Sequence, residues 1–217
     1  NSCIDATYTV KDIQKKPAKK SPAPPFTTST LQQEASRKLG FSVSNTMRVA
    51  QQLYEAGFIT YMRTDSVTLS KMAMAMAKEE IEKQFGSDYV KTRNFTTKSK
   101  GAQEAHEAIR PTYLNKQSIN GSSSQQRLYE LIWKRTIASQ MSDAILEKTN
   151  VDISISGLKD TLTATGEVIK FEGFLKVYIE STDDESEEQK RGLLPPLKAG
   201  DPLQLIKMEG IQRFTQA

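Results

Sequence analysis

The hydrophobic period of this chain switches near residue 145, and that switch limits the folds open to it. Between about residues 25 and 142, apolar residues recur at the three- and four-residue spacing of helices with one buried face. Beyond Ile145 they alternate, as Val151, Ile153 and Ile155 do. Leu162, Ile169, Phe171, Leu175, Val177 and Ile179 lie in further extended runs, and Leu203, Leu205 and Met208 form a last candidate strand. Ile4, Ala6, Tyr8 and Val10 alternate as well. Strands at both ends around a helical block predict an α+β chain, with a helical domain inserted into a β domain built from both ends. The expected segments are 1–22, 23–143 and 144–217.

Local signals place the helices. Ser29 and Gln32 have capping-box spacing, and Gly40 fits the residue just past a helix end. A second helix is expected from Ser44 to Gly57, with Met47, Ala50, Leu53 and Tyr54 on one stripe. The two make a helix-turn-helix outline. Ser70 to Phe85 reads as a helix with Leu69, Met72, Ala73, Met76, Ala77 and Ile81 inward, and Ser124 to Met141 as another with Leu128, Leu131 and Ile132 inward. Lys11 to Pro25, rich in Lys and Pro, reads as a connector, and Ser87 to Gln103 as a basic loop. Phe58 to Thr64 reads as a strand.

Composition narrows the class. Hydrophobic residues are 37% and charged residues 26%, a globular balance rather than a disordered one. No apolar run approaches the length of a membrane span. Cys3 is the only cysteine, so no internal disulfide forms, in keeping with a cytoplasmic setting. Residues 1–112 hold 17 Lys and Arg against 11 Asp and Glu, an excess suited to phosphate contact.

The chemistry concentrates at Gly57 to Ser66, GFITYMRTDS. In an extended segment Tyr61, Arg63 and Asp65 project to one face. A phenol with a reference pKa of about 10 is a poor nucleophile near neutral pH, and a fixed cation beside it improves it. Arginine also grips phosphate in a bidentate fork. Tyr61 beside Arg63 therefore points to attack on a phosphodiester; the plain alternative is a packing tyrosine with a surface ion pair.

The run resembles the active-site segment of type IA DNA topoisomerases. Pro24 to Ala35 (PPFTTSTLQQEA), Ala50 to Gly57 (AQQLYEAG) and Gln103 to Thr112 (QEAHEAIRPT) match further motifs in order, and Gly166 to Val177 looks like the strand that follows. Met62 after the tyrosine looks like the bacterial topoisomerase I branch; the topoisomerase III branch usually has proline there. The resemblance implies a winged-helix-like helical domain carrying the tyrosine, inserted into an antiparallel β domain of the gate region.

The resemblance also assigns roles. Tyr61 is the nucleophile and Arg63 stabilises the transferring phosphate. Gln51 and Glu55, four apart on one helix face, lie at the edge of the site, and Thr60 and Asp65 flank the nucleophile. Asp65 is expected to orient Arg63 by a charge-assisted hydrogen bond. His106 is the only histidine. A zinc-protease motif would need a second histidine at position 110, which is Arg110, so the resemblance decides its role: contact with the DNA backbone. Arg110 has two open readings, phosphate positioning or a pair with Glu107.

The family's metal-binding Toprim module is not recognisable here. Asp183, Asp184, Glu185, Glu187 and Glu188 are too consecutive for such a site and read as a solvated loop. The chain is thus expected to be a gate fragment that binds no metal itself, with Mg²⁺ held by the Toprim domain of the intact enzyme. The implied reaction is ATP-independent relaxation of negatively supercoiled DNA through a 5′-phosphotyrosine. The implied setting is a monomer on single-stranded or negatively supercoiled DNA, off the membrane, in the cytoplasm and nucleoid-associated. The isolated fragment is expected to be inactive. The rival reading is a non-catalytic single-stranded DNA-binding gate module. A tyrosine recombinase does not fit, because Tyr61 precedes His106. A helix-turn-helix transcription factor would make Tyr61 incidental and place base-reading side chains on a recognition helix.

Overall fold

Strand β1 (Tyr8–Lys20) is followed by helices α1 (Thr28–Leu39), α2 (Val43–Glu55), α3 (Lys71–Phe85) and α4 (Ser123–Ser139), then by β2 (Ala144–Ile155), β3 (Thr161–Phe171) and β4 (Pro202–Leu203). The structure is a computed structural model that describes residues 6–96, 107–179 and 194–207. The readings made at Ile4, Gln103 to His106, the acidic run 183–188 and Met208 lie outside the described residues. The chain divides into two units, one of residues 1–18, 146–169 and 186–217 and the other of residues 19–145 and 170–185.

The first unit is built on a sheet of order β3-β2-β1-β4. β4 runs antiparallel to β1, pairing Tyr8 with Leu203 and Thr9 with Pro202. The Ser156 amide donates to Thr7 O and the Ser154 hydroxyl to Thr9 O, so β2 also runs against β1. The short connection from β2 to β3 forces an antiparallel neighbour, turned at Gly157 with φ +78°. Lys11 to Pro25 is therefore not simply a connector, because β1 continues through its lysines to Lys20. A strand can be this polar when most of its residues face water, as Lys11, Asp12 and Lys15 do.

In the second unit the helices pack on one core that includes Phe26, Leu31, Leu53, Ile109, Leu128 and Trp133. Buried polar tips are satisfied: Trp133 Nε1 donates to Leu114 O at 2.8 Å, and the Tyr129 hydroxyl donates to Lys116 O at 2.7 Å. α1 is capped by Thr27 and Thr30 rather than by Ser29 and Gln32; threonine at the third helical position returns the reciprocal bond that glutamine would make. Gly40, at φ +68°, closes α1 as expected. α3 keeps Ala73, Ala77 and Ile81 inward, whereas Met72 lies one position round the helix and is 66% exposed. Gly173–Lys176 forms a 3₁₀ turn in place of an extended run, and it seats Phe174 and Tyr178 in the core. Among the described residues this unit contains isolated bridges, Phe26 with Ile109, Ile59 with Pro111 and Val90 with Met141.

Candidate active site

The segment after α2 is extended but is not the expected strand: only Ile59 makes a bridge, to Pro111. Side-chain hydroxyls take the place of a neighbouring strand. Thr60 Oγ1 donates to Ala108 O at 2.7 Å and accepts the Arg110 amide at 3.0 Å, while the Thr60 amide donates to Arg110 O at 2.9 Å. Beyond the tyrosine, Thr28 at the start of α1 holds the backbone of Met62 and Thr64. Thr64 Oγ1 then accepts the Ser66 amide, and Ser66 Oγ accepts the Thr68 amide. These bonds satisfy backbone groups that would otherwise need a ladder.

The result is strict alternation. Met62, Thr64 and Ser66 are buried; Tyr61, Arg63 and Asp65 are exposed. Tyr61 is 40% exposed, although the Met62 side chain next to it is 1% exposed. The buried residues act as pegs and the exposed ones form the projecting face. Arg63 and Asp65 do not pair: neither makes a hydrogen bond or ion pair among the described residues. Among the described residues, the orienting bond expected from Asp65 to Arg63 is not made.

Gln51 Nε2 donates to Glu55 Oε1 at 2.6 Å on the exposed face of α2, one turn ahead of the tyrosine segment. Tyr54, on the same helix, sets its ring edge-on to Tyr61 at 5.2 Å. The composition of that helix face gave no signal for this contact. His106 lies outside the described residues.

Arg110 is brought near by its backbone, not by its charge. Its side chain is buried, and its guanidinium donates through Nε and Nη2 to Glu107 Oε2 (3.2 and 2.6 Å) and through Nη1 to Pro111 O (2.9 Å). Of the two readings of Arg110, the geometry displays the pair with Glu107. Glu107 also accepts the amide of Ser70, the cap of α3. Burial alone would raise the Glu107 pKa, but the bonds from Arg110 and Ser70 outweigh it and hold the carboxyl below the usual carboxylate range.

A second ionic cluster braces the loop after α3. Lys91 and Arg93 both meet Asp143, at 2.5 and 2.6 Å. Burial opposes ionisation of Asp143, yet Lys91, Ser21 and Arg93 together depress its pKa to about 2.

A family model described as DNA topoisomerase matches residues 1–217, the entire sequence. The chain belongs to the DNA topoisomerase family. Within this family, DNA topoisomerase 1 of Zymomonas mobilis subsp. mobilis is 49% identical over 215 residues, covering 96% of this chain and 18% of the relative. DNA topoisomerase 1 of Synechococcus elongatus is 48% identical over 216 residues, covering 96% of this chain and 24% of the relative. Among solved structures, full-length topoisomerase I from Thermotoga maritima matches with a TM-score of 0.74 at 37% identity, over 91% of this chain and 32% of that one. The topoisomerase relatives are bacterial, in line with the type IA motifs around Tyr61. The chain spans about a fifth to a quarter of the length of these curated relatives.

Proposed function

We propose that this chain carries the nucleophile of a type IA topoisomerase reaction, with Tyr61 attacking DNA and Arg63 holding the phosphate. The observation that carries the reading is the exposed pair Tyr61 and Arg63 on a backbone pegged by buried Met62 and Thr64. In the step, the Tyr61 Oη–P bond forms as the P–O3′ bond of one strand breaks. The phenolic proton goes to solvent or to the departing 3′ oxygen, which leaves as a hydroxyl. The products are a 5′-phosphotyrosine and a free 3′ end. Attack by that 3′ hydroxyl reverses the exchange. One phosphodiester replaces another, so no ATP is required. The Arg63 guanidinium stabilises charge on the transferring phosphate.

The same reading takes the helical unit as winged-helix-like, supported by α1 and α2 meeting at the Gly40 turn. It places His106 on the DNA backbone, Gln51 and Glu55 at the edge of the site, and a monomer in the cytoplasm, nucleoid-associated, on single-stranded or negatively supercoiled DNA. Mg²⁺ is implied by the resemblance. Among the described residues no three His, Cys, Asp or Glu side chains group closely enough to hold a metal ion, so these residues do not fit it. The ion is assigned to the Toprim part of the intact enzyme, and this chain alone binds single-stranded DNA, more weakly as salt rises, without relaxing supercoils.

The test sets this chain in place of the matching segment of the Zymomonas mobilis relative. The hybrid should relax negatively supercoiled DNA and, on denaturation, retain DNA covalently at Tyr61. Tyr61→Phe should bind DNA and trap none. A covalent adduct in the Tyr61→Phe hybrid would refute the assignment. The rival binding-module reading predicts no adduct in either form.

A further inference from the structure

The active-site segment is held by a residue far from it in sequence. Thr28 is the first residue of α1, and it lies 36 residues before Thr64. Its backbone amide, one of the donors a helix start leaves without an internal partner, donates to Thr64 O at 2.9 Å. Its hydroxyl accepts the Thr64 amide at 2.9 Å and faces two carbonyl oxygens, Met62 O at 2.9 Å and Thr64 O at 3.1 Å. A hydroxyl has one proton and two acceptor lone pairs, so it can serve all three contacts with the proton shared between the carbonyls.

Resting on the reading of Tyr61 as nucleophile, we propose that Thr28 is a positioning residue for the cleavage reaction, its hydroxyl fixing the backbone on the far side of Tyr61 so that phenol and guanidinium project together. Thr60 holds the near side through Ala108 and Arg110. Tyr61 therefore sits between two threonine clamps, with no strand partner of its own among the described residues. Without the Thr28 hydroxyl, Met62 O and the Thr64 amide lose their only side-chain partner among the described residues, and the residues from Tyr61 to Thr64 gain freedom. Arg63 lies inside that stretch. The alternating exposure of Tyr61 and Arg63 depends on the peptide planes of Met62 and Thr64, the groups Thr28 binds. Thr28 need not touch DNA. Its effect should fall on the rate of the chemical step, where a displacement of about 1 Å can cost about a hundredfold.

Valine and serine separate the contributions of threonine. Thr28→Val keeps the shape and the backbone amide bond but removes every hydroxyl contact. Thr28→Ser keeps the hydroxyl and removes the methyl. In the hybrid enzyme described above, single-turnover adduct formation on a single-stranded oligonucleotide should slow about tenfold to a hundredfold for Thr28→Val. Oligonucleotide Kd should stay within about twofold, and Thr28→Ser should recover most of the rate. In this 217-residue chain, hydrogen exchange at the Thr64 amide should accelerate for Thr28→Val and stay slow for Thr28→Ser.

Unchanged cleavage in Thr28→Val would overturn the proposal. So would a parallel loss of rate, DNA affinity and melting temperature, which marks a residue of the scaffold alone. A Thr28→Ser enzyme as slow as Thr28→Val would remove the hydroxyl as the cause. Mapping the wild-type adduct by mass spectrometry tests the underlying reading separately. An adduct at another residue sinks the Tyr61 assignment, whereas an adduct at Tyr61 with no Thr28→Val effect sinks only the role of Thr28.

Discussion

The ring of Tyr54 meets that of Tyr61 edge-on, with centroids 5.2 Å apart and planes inclined by 66°. Both rings are exposed, so the contact restrains a side chain proposed as the nucleophile. Such pairs contribute about 0.5–1.5 kcal/mol beyond area burial. Tyr54→Ala should slow single-turnover adduct formation by about threefold to tenfold. Tyr54→Phe keeps the ring and should stay close to wild type. An alanine variant at wild-type speed would show that the edge contact does not orient Tyr61.

The Thr60 hydroxyl, next to Tyr61, bonds backbone groups on both sides of Ile109. Thr60→Val leaves buried Ala108 O without that donor and the Arg110 amide without that acceptor. Unfolding in urea should reveal a loss of about 1–3 kcal/mol. Thr60→Ser should lose much less. If valine is tolerated at full stability, other groups must satisfy Ala108 O.

Glu107 joins the start of α3 to the segment around Arg110. Glu107→Ala leaves a guanidinium that is 7% exposed without its carboxylate and removes the acceptor for the Ser70 amide. Fully buried pairs broken this way lose about 3–5 kcal/mol; the Glu107 side chain is 28% exposed, so about 2 kcal/mol is expected by chemical denaturation. The double change Glu107→Ala with Arg110→Met should recover part of that loss, because no unpaired buried charge remains.

Asp143 makes stability depend on acid pH. Its pKa in the fold is about 2, against an ordinary value of 3.8. A depressed carboxylate stabilises the fold fully above its unfolded pKa, and the contribution is lost as pH falls through the folded value. The loss should therefore fall between about pH 4 and pH 2 and amount to about 2 kcal/mol. In Asp143→Asn the melting temperature should be lower at pH 7, and its fall across that acid window should be shallower than in wild type. Parallel curves for the two proteins would exclude Asp143 as a source of the acid dependence.

The helices and the alternation of the strands were legible because they depend on short-range patterns. Ser70 opens α3, Gly40 ends α1, and the alternation at Val151 and Ile155 marks a strand. Errors came where a neighbour distant in sequence decides. The lysines and Pro17 of β1 look like a linker until β2 supplies the partner that makes a polar strand stable. Gly173–Lys176 keeps an alternating pattern but turns, because Phe174 and Tyr178 enter the helical core.

The same division runs through the candidate site. The order of residues in TYMRTDS by itself determined that Tyr61, Arg63 and Asp65 share a face, because alternate side chains of any extended backbone do so. Only the tertiary structure decided which face is buried, that Arg63 and Asp65 stay apart, and that Arg110 turns its charge inward to Glu107. It also decided what holds the segment extended. The partners of Met62 and Thr64 are hydroxyl and amide groups of Thr28, brought there by the packing of α1. A hydrogen bond acts over about 3 Å in space and carries no record of separation along the chain, so local sequence cannot name its partner.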